Sequence, residues 1–303
     1  MKLAEMELKI VQTNDDGLFG DCYKNDFEYV YNGVTYRVKI EQCIKRELLI
    51  WAEKKVECSE LFAMEALIEK LLFIFDGRFY PVESTAMIDE KGDSSIYQCE
   101  VNQYFNNRIP IYDSFSMCKY PFMRLVKYNY NGMDLANTLV AWKCISDELN
   151  IVFNMLLYCL SSIQMPVDCK ISIIIEMVKP FGEILEKYNN DFKIMRTKKD
   201  RIELRTALET VIKAYGVEIF DRELNDDFKS FLDLLVNTRN KIAHISSRQN
   251  KICLSGSQCA FYIAKLSIMY RKIIYALIGV DKEIYSENII YAVKELDKWY
   301  YGK

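Results

Sequence analysis

From Asp134 to the C-terminus, apolar residues recur with the 3.6-residue period of helices that bury one face, whereas the preceding residues mix that period with short aromatic and β-branched runs. This change of period predicts an α+β domain over residues 1–132 followed by an all-α domain over residues 133–303, and 303 residues suffice for two hydrophobic cores. In the first part, Phe27 to Tyr31 and Val34 to Ile40 flank Asn32-Gly33, the dipeptide that best tolerates the positive φ angles of a type I′ hairpin. Ser59 is placed to cap a helix running to Phe75, with its apolar face on the sheet and Asp76-Gly77 as its stop. Further short strands are expected at Ser95 to Gln103 and Met123 to Tyr128.

In the second part, helices are expected at Leu135 to Ile145 and Asp147 to Ser162, then from an Asp168 cap through Tyr188 with a bend at Pro180, which cannot donate to the helix ladder. Others follow over Lys198 to Gly216, from Asn225 or Asp226 through Leu235, over Gln258 to Leu277, and over Ser286 to Tyr300. The Gln258 to Leu277 segment is apolar on nearly every side and needs burial on two faces.

The chain is half hydrophobic with 11 Gly and 5 Pro, which excludes collagen-like and disordered classes. Its ten cysteines form no C-x-x-C pair and there is one histidine, an arrangement that speaks against zinc and for reduced, mostly buried thiols in the cytoplasm. No signal peptide is expected, nor an apolar run of the ~18 residues that a membrane span needs. A net charge of −3 excludes a wholly basic nucleic-acid coat protein while leaving room for local basic patches. P-loop, G-x-G-x-x-G, H-E-x-x-H and G-x-S-x-G motifs are all missing, so the nucleotide hydrolysis, dinucleotide redox, zinc proteolysis and α/β-hydrolase classes lack support.

The chemistry concentrates in Arg239-Asn240-Lys241-Ile242-Ala243-His244. Arg239 lies eleven residues after Phe228, about 1,100° at ~100° per residue, which aims a guanidinium to within ~20° of the buried stripe. It must either pair with a carboxylate or line a cleft that an anion enters. Histidine exchanges protons near neutrality and arginine offers a fixed fork of donors to phosphate, a pair suited to cleaving RNA without metal or other cofactor. Five residues separate the two by about 7–8 Å of rise and ~140° of rotation, so one regular helix cannot bring them together. Either a bend after Arg239 or a second copy of the chain is required. Lys241, Arg248 and Lys251 form an acid-free basic patch beside His244, suited to RNA phosphates. Lys193 to Arg205 forms a second basic run, ordinarily read as a solvated face. A lone histidine near a helix end is more often a C-cap or a satisfied core group than a catalyst, and Asn240 could equally be a C-cap.

Arg239-Asn240-(x)3-His244 resembles the R-x4–6-H signature of the HEPN superfamily of helical ribonucleases. The apolar stripe ending at Leu234-Leu235-Val236, the upstream helix around Phe181 to Tyr188 and the apolar helix after the motif are similar to the Apea-like HEPN subfamily, over about residues 165–280. More loosely, the first half of the chain resembles the N-terminal domain of ApeA-type anti-phage proteins. The resemblance implies a homodimer whose two motifs share a cleft, metal-independent RNA cleavage with tRNA among the candidate substrates, and abortive-infection defence released by a phage-derived trigger at the N-terminal domain. It also implies an acidic or polar companion to Arg239 on the first bundle helix, with Glu183 the first candidate and Glu176 the second. Catalytic roles then fall to Arg239, Asn240, His244 and Glu183. The alternative is a non-catalytic HEPN module that dimerises or binds RNA or nucleotide.

Overall fold

A computed structural model describes residues 6–12, 23–42, 45–89, 97–107, 124–126, 133–160, 165–244 and 251–302. The chain divides into two compact units, one of residues 1–115 and 126–143, the other of residues 116–125 and 144–303. The first holds an antiparallel five-stranded sheet with helices and the second is helical, the α+β and all-α classes expected from the period, but residues 133–143 group with the sheet unit and not with the helical domain expected over 133–303.

The sheet is built from β1 (Met6–Gln12), β2 (Tyr23–Tyr31), β3 (Val34–Gln42), β4 (Arg46–Ala52) and β5 (Val82–Asp89), in the order β2-β3-β4-β1-β5. Asn32 and Gly33 take φ of 49° and 71°, and this turn sets Tyr31 opposite Val34 and Tyr29 opposite Tyr36. The alternation in β3 buries Val34, Tyr36, Val38 and Ile40 on one face. Helix α1 (Cys58–Asp76) lies against β4, its start capped through the Glu57 N–H donating to the Glu60 carboxylate rather than by Ser59. It ends as expected at Gly77, whose φ of 74° suits a residue without Cβ. Arg46 is buried in this unit, donating to Asp76 Oδ2 at 2.8 Å and to Gln42 Oε1, with its guanidinium over the Tyr80 ring.

The strand expected at Ser95 to Gln103 is overturned: Gln98–Asn106 is helix α2. Tyr97, Val101, Tyr104 and Phe105 recur at helical, not alternating, positions, and Tyr104 stacks on Phe62 while its hydroxyl donates to Glu65. Of Met123 to Tyr128, residues 124–126 form no strand and the others lie outside the described residues.

Helix α3 (Leu135–Leu160) joins the two helices expected there across a kink at Asn150 (φ 26°). It is followed by α4 (Val167–Glu176), α5 (Val178–Tyr188), α6 (Leu204–Tyr215), α7 (Asp221–His244), α8 (Ser257–Leu277) and α9 (Lys282–Tyr301). Asp168 lies in the first turn of α4 instead of capping it. The start expected at Asn225 or Asp226 is a break inside α7: Asp227, at φ −151°, accepts from the Ser230 N–H and hydroxyl and caps the segment carrying the motif. Helix α4 lies against α7 and α8, and the Tyr270 hydroxyl of α8 donates to the Ile174 carbonyl at 2.7 Å while its ring stacks on Phe181. As its composition required, α8 is buried on nearly every side, and its Lys265 is buried with it, paired to both oxygens of Glu223 at 2.9 Å.

The seven described cysteines, 58, 99, 144, 159, 169, 253 and 259, are free thiols. Only Cys159 and Cys259 are buried, fewer than the composition suggested, and burial raises their thiol pKa to about 12 and about 11. Among the described residues no helix is long and apolar enough to cross a membrane.

Candidate active site

Pro180 prepares the site. Lacking an N–H, it cannot serve the Glu176 carbonyl, and the helical run breaks at Met177, with α4 ending at Glu176 and α5 starting at Val178. Glu176 thus stands at the end of α4 beside α7, where its Oε2 lies 2.7 Å from Arg239 Nε. Oε2 is screened from solvent, and beyond this ion-pair contact it accepts no hydrogen bond among the described residues. The other carboxylate oxygen accepts from Lys179 Nζ at 2.7 Å. Arg239 Nη1 donates to its neighbour Asn240 Oδ1 at 3.0 Å.

Arg239 therefore answers both expectations for an inward-pointing guanidinium. It has a carboxylate partner, yet its side chain remains 23% exposed and that of Glu176 36%, so the pair is not sealed in the core. Two cations share one carboxylate, leaving the cluster one positive charge in excess. Asn240 accepts from one arm of the fork and the Glu176 carboxylate attracts its Nε edge, so the guanidinium is held between them.

The carboxylate that meets Arg239 is that of Glu176, the second candidate, and not that of Glu183. Glu183 is exposed on α5, where its charge acts on Arg196. Asn240 is half-buried with its amide oxygen turned to Arg239, and Lys241 is exposed on the last turn of α7. Lys251 is exposed beyond that helix, and Arg248 lies outside the described residues. The backbone of His244 closes α7, while its side chain is outside the described residues. Within α7 the only non-helical backbone is at Asp227, so no bend follows Arg239. The ~140° of helical rotation between backbone positions 239 and 244 therefore stands.

Two residues escaped the sequence reading. Lys179 was signalled only by its i,i+3 spacing from Glu176 and its place before the helix-breaking Pro180. Thr238, 1% exposed, donates to the Leu234 carbonyl at 2.7 Å and accepts from the Leu254 N–H at 2.8 Å, tying the segment beyond the motif back onto α7. Among the described residues no group of three or more His, Cys, Asp or Glu side chains is arranged to hold a metal ion.

Residues 172–284, from within α4 to the first turn of α9, match the family model described as Apea-like HEPN. The helical unit carries a HEPN/ApeA-type domain, a kind of domain that serves as a nuclease or as a nucleotide-binding module. No curated protein and no solved structure gives a significant match to the chain.

Proposed function

With residues 172–284 an Apea-like HEPN domain, we propose that the protein is a homodimeric, metal-independent endoribonuclease acting in anti-phage abortive-infection defence. The observation that carries this reading is the part-exposed Arg239 fork, oriented by Glu176 and Asn240 on the helix that ends in His244. In the proposed reaction the 2′-oxygen of a ribose attacks the adjacent phosphorus. The 2′-O–P bond forms and the P–O5′ bond breaks. One histidine takes the 2′-hydroxyl proton and a second protonates the departing 5′-oxygen, leaving a 2′,3′-cyclic phosphate and a 5′-hydroxyl. Arg239 stabilises the charge that gathers on the phosphorane oxygens, and Asn240 holds the guanidinium in plane.

The regular helix after Asp227 supports the dimer, because a second copy facing the first is the remaining way to bring an Arg239 and a His244 together and it supplies the second histidine. Lys241, Arg248 and Lys251 would hold flanking phosphates of the RNA, tRNA included, and the N-terminal sheet unit would receive the phage-derived trigger. Arg239→Ala and His244→Ala are each expected to abolish cleavage while leaving circular dichroism and dimer mass unchanged. Full cleavage by either variant overturns the assignment. The Glu176–Arg239 ion pair favours a second reading, a non-catalytic RNA- or nucleotide-binding module, in which the same substitutions change ligand affinity or dimerisation and no nuclease activity is found.

A further inference from the structure

Between α5 and α6 the chain makes a tight turn at Arg196 to Ile202 that is built more firmly than a solvated connection requires. Arg196 and Ile202 form a β-bridge, the Thr197 N–H donates to the Arg201 carbonyl at 2.9 Å, and the Asp200 N–H donates to the Thr197 carbonyl at 2.9 Å. The Thr197 hydroxyl oxygen accepts from the Arg201 N–H, and Asp200 takes a φ of 55°, unusual for a residue with a side chain. The base is clamped by Glu186 at the end of α5, which takes two hydrogen bonds from the Arg196 guanidinium and one from the Ile194 N–H at 2.7 Å.

Charge on this turn is unevenly matched. Four neighbouring cations meet carboxylates, Arg196 on Glu186, Arg205 on Asp233, Lys187 on Glu148 and Lys213 on Glu209, while Lys193, before the turn, is exposed. Lys198, Lys199 and Arg201 are exposed at the tip and make no ion pair among the described residues; of the two acids beside them, Asp200 faces Arg196 at 3.5 Å and Glu203 is exposed at the start of α6. In a chain of net charge −3 this concentration is local and does not reflect a general excess of base.

We infer that the turn carrying Lys198, Lys199 and Arg201 is an anchoring point for the phosphate backbone of single-stranded RNA, outside the Arg239 site. The inference rests on the ribonuclease reading for its ligand. Glu186, at the base of the turn, lies seven residues after Lys179 and so on the same face of α5, about 10 Å further along the axis. That is the length of roughly three stacked nucleotides at ~3.4 Å each. Glu183, exposed between them on that face, repels a strand laid flat along α5, so the turn and the Arg239 cluster are two separate points of attachment. Because the backbone of the turn is already ordered, its three charges engage phosphates with little loss of backbone entropy.

The test compares the wild type with the triple variant Lys198→Gln, Lys199→Gln, Arg201→Gln, titrated with a short 2′-O-methyl RNA that cannot be cleaved, over a range of salt. Losing three single-strand phosphate contacts should flatten the slope of log affinity against log salt by about 2 and weaken binding more than ~10-fold at low salt. Cleavage of a dinucleotide too short to reach the turn should be unchanged. Equal affinity and slope for both proteins overturn the inference while leaving the ribonuclease reading intact, and so does a parallel loss of dinucleotide cleavage, which would mark a structural role. A wild type that binds no RNA overturns both. If His244→Ala has no effect on cleavage but the triple variant loses RNA affinity, the ribonuclease site fails and the anchoring turn stands.

Discussion

Glu176 and Glu183 show what one carboxylate's position decides. Seven residues apart, they share a helical phase, so the stripe around Phe181 to Tyr188 could not separate them. The break before Pro180 and the packing of α4 on α7 bring the earlier one to Arg239 and leave the later one exposed. Glu176→Gln should therefore lower turnover at least ~10-fold through loss of guanidinium orientation, while Glu183→Gln should stay within about two-fold of wild type. Steady-state cleavage rates of the two variants check this, and the reverse order would contradict the placement. Arg239 and Asn240 were legible as chemistry because a charge aimed into an apolar stripe needs a reason, whereas Thr238, a hydroxyl among apolar neighbours, carried no such signal. Thr238→Val keeps the shape but leaves the buried Leu254 N–H without its acceptor, and urea unfolding should show a loss of about 1–3 kcal/mol.

The turns and helices were readable where local chemistry decides them and not where tertiary packing does. Asn32-Gly33 specified its hairpin because a type I′ turn needs positive φ at both positions, and Gly77 ended α1 for a similar reason. Helix α2 reads ambiguously because only Val101 among its nine residues is buried, so its helical spacing rests on a few aromatic side chains that suit a strand as well. The turn between α5 and α6 depends on Glu186. Burial would raise its carboxyl pKa, but the Arg196 guanidinium and the Ile194 N–H outweigh this and hold it below the ordinary 4.5. A carboxylate depressed in the folded state stabilises above its unfolded pKa, and that contribution is lost as pH falls through the folded value. The turn should thus loosen below about pH 4.5, seen as faster amide exchange at Ile194 and Thr197 while α8 stays protected; equal protection at pH 3 and pH 6 would count against the clamp. Within the bundle, Lys265→Met leaves Glu223 buried without its cation and should cost about 3–5 kcal/mol in urea unfolding, with Lys265→Met/Glu223→Leu recovering much of it.

The division into a sheet unit and a helical unit was visible in the change of hydrophobic period, since each architecture demands its own spacing. For the site, the spacing of Arg239 and His244 left a bend or a second copy open, and regular helix after Ser230 removes the bend. Regular helix from Ser230 to His244 sets positions 239 and 244 about 140° apart, so cleavage at the proposed site depends on dimerisation, and activity per protomer should fall as dilution separates the copies. The most direct trial of the central claim is to incubate wild-type and His244→Ala protein with total bacterial RNA in EDTA, supplying phage lysate as the source of trigger, and to read the fragment ends. Fragments from the wild type alone, ending in 2′,3′-cyclic phosphate and 5′-hydroxyl groups, are the result the account requires. Intact RNA with both proteins, or the same fragments from both, would contradict it.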